Sequence, residues 1–134
     1  MKLRYTLLLS SLLATNVLAG NDHVRAYVKI GPNSGRVNQS IPFQSWHYVA
    51  ITNPYFTKNM TYTYVYKLCS EWTGCKMQKF TKTLVPQQQY IEEHIMNFAG
   101  VWPRGGSKQI WATTEILGEF TDSVTAANTL SVFY

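Results

Sequence analysis

The side chains that could do acid–base or metal chemistry are few and scattered. There are three histidines, His23, His47 and His94, and no two stand at the short spacing that a metal-binding pair needs. His94 follows Glu92 and Glu93. Alternate residues of a strand share a face, so His94 would lie beside Glu92 and away from Glu93, as an exposed ion pair. Gly31-Pro32-Asn33-Ser34-Gly35 imitates a nucleophile elbow, but its serine is displaced by one position and no helix follows. No G-x-G-x-x-G and no C-x-x-C occurs. The expectation is a non-enzyme with no cofactor and no metal. A secreted hydrolase with a dispersed site is the catalytic rival, which turnover of generic ester, peptide and glycoside substrates would expose.

Binding chemistry is better represented. Trp72, Trp102, Arg104 and Arg36 all fall in or beside connections rich in Gly, Pro and Ser. Tryptophan buries a large area on few rotatable bonds and arginine offers a planar donor fork, so these types dominate interfaces. If the strands alternate in direction, the 31–45 connection, the 70–74 loop and the 99–107 loop share one end. Trp72, Trp102 and Arg104 then gather there, with Arg36 within reach. The competing reading makes Trp102 a lid on the core and packs Trp72 on a neighbouring disulfide.

The elements that must hold these loops read as strands. Met60 to Leu68 alternates Met60, Tyr62, Tyr64, Tyr66 and Leu68 with Thr61, Thr63, Val65 and Lys67. That period of two defines a central strand with a tyrosine-rich buried face. His23 to Ile30 alternates likewise, with Val24, Ala26, Val28 and Ile30 inward. The 31–35 stretch signals a turn, and Val37 to Phe43 carries Pro42, which confines it to an edge or a short irregular strand. Trp46 to Thr52 is apolar on both faces, as a central strand would be. Lys76 to Leu84 is a lysine-rich strand; with Lys67, Lys79 and Lys82 it could form an anionic-partner patch, but lysines discouraging edge pairing explain it better. Gln87 to Phe98 by its own pattern favours a helix, with Pro86 at its start, Ile91, Ile95 and Phe98 on one face and Gly100 as cap. It is less regular as a strand, but the all-strand context selects a strand. Lys108 to Leu117 is a strand, Thr121 to Asn128 a polar connection, and Leu130 to Tyr134 the last strand.

The first residues read as an export signal. A basic start, the apolar Leu7–Ala14 run and the small residues before Ala19 make residues 1–19 a signal peptide, too short to span a bilayer. No cysteine follows the cleavage site, so no lipid anchor or stable membrane insertion is expected. Residues 20–134 form a single domain. Loss of Lys2 and Arg4 lowers the formal charge of +5 by two, too little to argue for nucleic acid. Export permits a disulfide, and Cys69 and Cys75 would staple the stems of a hairpin around 70–74.

About seven strands, the proline after Leu84-Val85, the Gln109–Thr113 strand followed by Gly118, and the closing Leu130-Ser131-Val132 together resemble an immunoglobulin-like antiparallel β-sandwich. The resemblance is to fibronectin-III-like and bacterial proteinase-inhibitor-type versions. The antibody pattern of two cysteines bridging sheets around a tryptophan is absent, because Cys69 and Cys75 are too close in sequence. Such a fold carries no function with it. The reading is a secreted, extracellular or periplasmic module of bacterial type that binds a protein or glycan through loops at one end. The alternative among binding proteins is a protease inhibitor presenting the 70–74 disulfide loop, because a rigid loop loses little entropy on docking.

Overall fold

In a computed structural model, residues 23–134 are described, and they form eight strands with no helix. The strands are β1 (Val24–Ile30), β2 (Asn33–Arg36), β3 (Ser40–Thr52), β4 (Met60–Ser70), β5 (Gly74–Leu84), β6 (Gln89–Val101), β7 (Gly106–Leu117) and β8 (Asp122–Phe133). They build two stacked sheets, one ordered β1-β3-β6 and the other β2-β8-β7-β4-β5. The expected signal peptide lies outside the described residues.

Period-two patterning places the core. Val24, Ala26, Val28 and Ile30 of β1, Met60, Tyr62, Tyr64, Tyr66 and Leu68 of β4, and Ile110, Ala112 and Ile116 of β7 all point into a single hydrophobic layer between the sheets. There β1 lies over β7 and β8. β4 is central in its sheet and β3 in the other, as their apolar patterns require. Residues 87–98 are strand, since β6 spans them from Gln89 onward.

Three boundaries depart from expectation, each for a local reason. The 31–35 turn continues into β2, which pairs in parallel with the end of β8. Its Asn33 side chain donates to the Pro42 carbonyl and accepts from the Ser34 amide. Pro42 interrupts nothing: β3 runs through it, and β1 pairs only with Ser45–Ile51. A strand residue points its N and O the same way, and the Pro42 carbonyl faces Asn33. The missing N–H therefore falls on a side with no ladder partner. Thr121–Asn128, expected as a polar connection, belongs mostly to β8, because Thr125 hydrogen-bonds Thr113 across the solvated face.

Both edges at one side of the sandwich carry devices against further pairing. β5 is an edge strand, as its lysines suggest. Lys76 Nζ donates to the Asn97 carbonyl of β6 at 2.8 Å, and Lys82 Nζ lies 4.1 Å from the centre of the Tyr90 ring. The lysines thus close the seam between the sheets.

Candidate functional site

The β4–β5 and β6–β7 connections meet at one pole. Cys69 and Cys75 face each other in the β4–β5 register and are disulfide-bonded. The turn they staple is only Glu71-Trp72-Thr73, and it holds Trp72 at φ 83°. A bulky side chain in the left-handed region costs roughly 1–2 kcal/mol, so the surrounding structure must impose it. It does so through the disulfide, the Glu71 amide bonded to the Gln109 carbonyl (3.0 Å), and the Gln109 amide bonded to the Glu71 carboxylate (2.6 Å). The result is an indole that stays 76% exposed.

Trp102 does the opposite. It is 1% exposed and packs on Phe43 inside the core, with its Nε1–H donating to the Glu71 carbonyl at 3.3 Å. Gly100 makes this possible: a Cβ there would sit 2.6 Å from both the Trp102 ring and the Thr73 methyl. The expectation that Trp102 is a recognition residue gathered with Trp72 and Arg104 therefore gives way to the reading of a lid on the core. Trp72, 76% exposed, is not packed down on its disulfide, and Trp111 is the residue opposite Cys69 in the β4–β7 register.

Glu71, Trp72, Trp102, Pro103, Arg104 and Lys108 line a cavity of about 440 Å³ at this pole. Arg104 is exposed and Lys108 half-buried. Their side chains make no hydrogen bond or ion pair among the described residues. Sequence reasoning missed Lys108, because it sits two residues into a strand; its cross-strand position near the turn is visible only in register. Arg36 is not brought into the cavity. Its Nη1 donates to the Tyr134 carbonyl at 2.8 Å and so ties β2 to the chain end. The Asn38 amide donates to the Trp102 carbonyl at 2.9 Å, which puts the β2–β3 turn at the same pole.

Two polar clusters lie elsewhere. Ser45 and His47 are 2.6 Å apart, and His47 Nδ1 is 2.8 Å from Thr114 Oγ1. Thr114 gives its hydroxyl hydrogen to the Tyr27 carbonyl, so it must accept from Nδ1–H, which leaves Nε2 to accept from Ser45. Burial first, and the charge on His94 second, push the His47 pKa down to about 4, opposed by a backbone hydrogen bond at Thr113. A serine and histidine in contact invite a catalytic reading. Both are sealed between the sheets, at 2% and 0% exposure, so no substrate reaches them.

Glu92 is not the exposed partner of His94. Its carboxylate accepts from the hydroxyls of Tyr66 and Tyr90, at 2.5 and 2.8 Å, with Tyr64 at 3.4 Å. His94 instead stacks on Tyr66 and contacts Gln78 Oε1 at 2.6 Å. The correction follows from the facing sheet, whose inward tyrosines reach Glu92 first. Burial, then these hydrogen bonds, push the Tyr64 and Tyr66 pKa values up, so both stay protonated. Among the described residues no group of three or more His, Cys, Asp or Glu is placed to hold a metal ion.

No family model matches this chain, and no curated protein matches its sequence. Solved structures do. The crystal structure of the CARDB domain of the PF1109 protein from Pyrococcus furiosus, described as a complex with di-metal ions, aligns with a TM-score of 0.54 at 16% identity. The alignment covers 84% of this chain and 96% of that one. The chain shares its fold with CARDB domains. The solution structure of the same domain gives a TM-score of 0.51 at 17% identity, over 84% of this chain and 98% of that one. These CARDB neighbours are β-sandwiches of immunoglobulin-like type, which supports the fold-level resemblance without extending to any particular family.

Proposed function

We propose that this chain is an exported, non-catalytic binding module that recognises a protein or glycan outside the cytoplasm through the Trp72 pole. The observation that carries this reading is the exposed indole of Trp72, held at φ 83° by a disulfide-closed turn. Strain of this kind is maintained against a cost, and it clusters at recognition sites. The Trp72 side chain lines a cavity with two cations, Arg104 and Lys108, that have no partner among the described residues. Loops on a rigid sandwich are the usual place for recognition. The protease-inhibitor alternative fits less well, because a three-residue turn offers no extended segment for a protease cleft.

The test is capture of surface and secreted components by residues 20–134, compared with the Trp72→Ala variant. Capture lost in the variant, with an unchanged circular dichroism spectrum, supports the reading. Undiminished capture sinks it.

A further inference from the structure

We infer that the cavity at the Trp72 pole takes a carboxylate-bearing sugar unit of an acidic glycan, with its carboxylate on Arg104 and Lys108 and its ring face on Trp72. The inference rests on reading this pole as the binding end, and it narrows that reading to one chemistry.

Glu71 keeps its negative charge, but one carboxylate oxygen is held by the Gln109 amide at 2.6 Å, and two cations outnumber it in the lining. Trp102 contributes a buried apolar wall whose Nε1–H is committed to the Glu71 carbonyl. Arg104 and Lys108 are the polar groups left without partners, and both are cationic. A guanidinium fork beside an ammonium matches a carboxylate, and charge-assisted hydrogen bonds are about twice as strong as neutral ones. The remaining surface is the flat face of Trp72, with the Pro103 ring beside it.

A peptide would most often add main-chain hydrogen bonds along an open strand edge. Here the backbone of Glu71 and the carbonyl of Trp102 are occupied. The Glu71 amide bonds the Gln109 carbonyl, the Glu71 carbonyl accepts from Trp102, and the Trp102 carbonyl accepts from Asn38. The side-chain features on offer for recognition are a stacking plane and a charged fork. A sugar ring has a flat face of C–H groups for the indole, and an acidic sugar adds a carboxylate at its rim. The cavity, about 440 Å³, has room for such a ring.

The experiment titrates residues 20–134 by calorimetry with oligogalacturonate, oligoalginate and hyaluronan fragments, each against its methyl-esterified form, and with an acidic peptide. Expected is binding of at least one acidic oligosaccharide, weakened about 10–100-fold by esterification and by Arg104→Ala, and lost in Trp72→Ala. Raising the salt should weaken it further, since both cations lie near solvent. Binding of esterified and free forms with equal affinity overturns the carboxylate assignment. Binding of the acidic peptide alone, abolished by Trp72→Ala, overturns the glycan inference and leaves the pole as the binding end. No binding by any probe also overturns it. A natural partner whose capture survives Trp72→Ala defeats the underlying reading as well.

Discussion

The two poles of the sandwich are built on opposite terms. At the pole where β3 ends and β4 begins, Asn53 is fully buried and saturates its surroundings. Its Nδ2 donates to the carbonyls of Lys58, Leu84 and Val85, its Oδ1 accepts from the Tyr55 amide, and its own amide donates to the Gln88 carbonyl. Gln87 donates to the Pro54 carbonyl, Lys58 covers the Tyr55 ring, and the nearby Glu119 carboxylate pushes the Tyr55 pKa up. At the Trp72 pole the backbone is equally well tied, but two cationic side chains and an indole are left over. The difference teaches where to look for function: a pole that consumes its own polar groups is finished, and one that leaves them over has something to bind.

The largest effects should break this comparison from either side. Asn53→Asp replaces two donors with a carboxylate aimed at three carbonyls, and should cost about 4 kcal/mol in urea unfolding, more than Asn53→Ala. An equal loss for the two variants would show that the hub is packing and not hydrogen bonding. Trp102→Ala, at the other pole, should cost about 3–5 kcal/mol by opening a cavity under Phe43 and Gly100. A stable Trp102→Ala protein would mean that the indole belongs to the ligand and not to the core.

Next comes pH, which separates both poles from the interior. Burial lowers the His47 pKa to about 4 from the 6.5 of a free imidazole. Between those values the unfolded chain binds a proton that the folded chain refuses. Stability should therefore fall as pH drops from about 6.5 to about 4, by roughly 3 kcal/mol, and level off below. Urea midpoints across this range, with the His47 ring followed by NMR, check the window. A flat profile would mean that the Ser45–His47–Thr114 chain opens to water.

Trp72→Gly sharpens the comparison further, because it separates binding from stability at one residue. Glycine accepts φ 83° freely but adds entropy to the unfolded chain, so stability should be unchanged or raised by about 1 kcal/mol while capture is lost. A clear loss of stability would show that the indole supports the turn.

The fold was largely legible because burial in a sheet imposes period two. Tyr62, Tyr64, Tyr66 and Leu68 announce their face without any partner known. The edge role of β5 was legible from its lysines for the same kind of reason. What escaped were features set by residues far apart in the chain. The Ser45–His47–Thr114 chain joins two sheets, and nothing at Ser45 or Thr114 marks them as buried partners. Glu92 was assigned to its neighbour His94 because sequence shows only neighbours, whereas the tyrosines that claim it come from β4 and from its own strand two residues back. Trp102 and Trp72 look alike as loop tryptophans. Only Gly100, which gives one indole room to turn inward, distinguishes them, and that requires knowing what the glycine faces.

The smallest effect tests the claim that the Asn53 side of the molecule is saturated. Tyr62, near the start of β4 and beside Gly118, has the one buried side-chain polar atom without a hydrogen-bond partner among the described residues, its hydroxyl. Burial alone pushes its pKa up, which fits a hydroxyl that nothing stabilises in charged form. A buried hydroxyl without a partner forfeits its hydration and gains nothing in return. Tyr62→Phe removes that loss while keeping the ring in the core, and should stabilise the fold by up to about 1 kcal/mol. If the phenylalanine variant is instead less stable by a similar amount, the hydroxyl has a partner in solution, and the contrast between a saturated pole and an unsaturated one narrows.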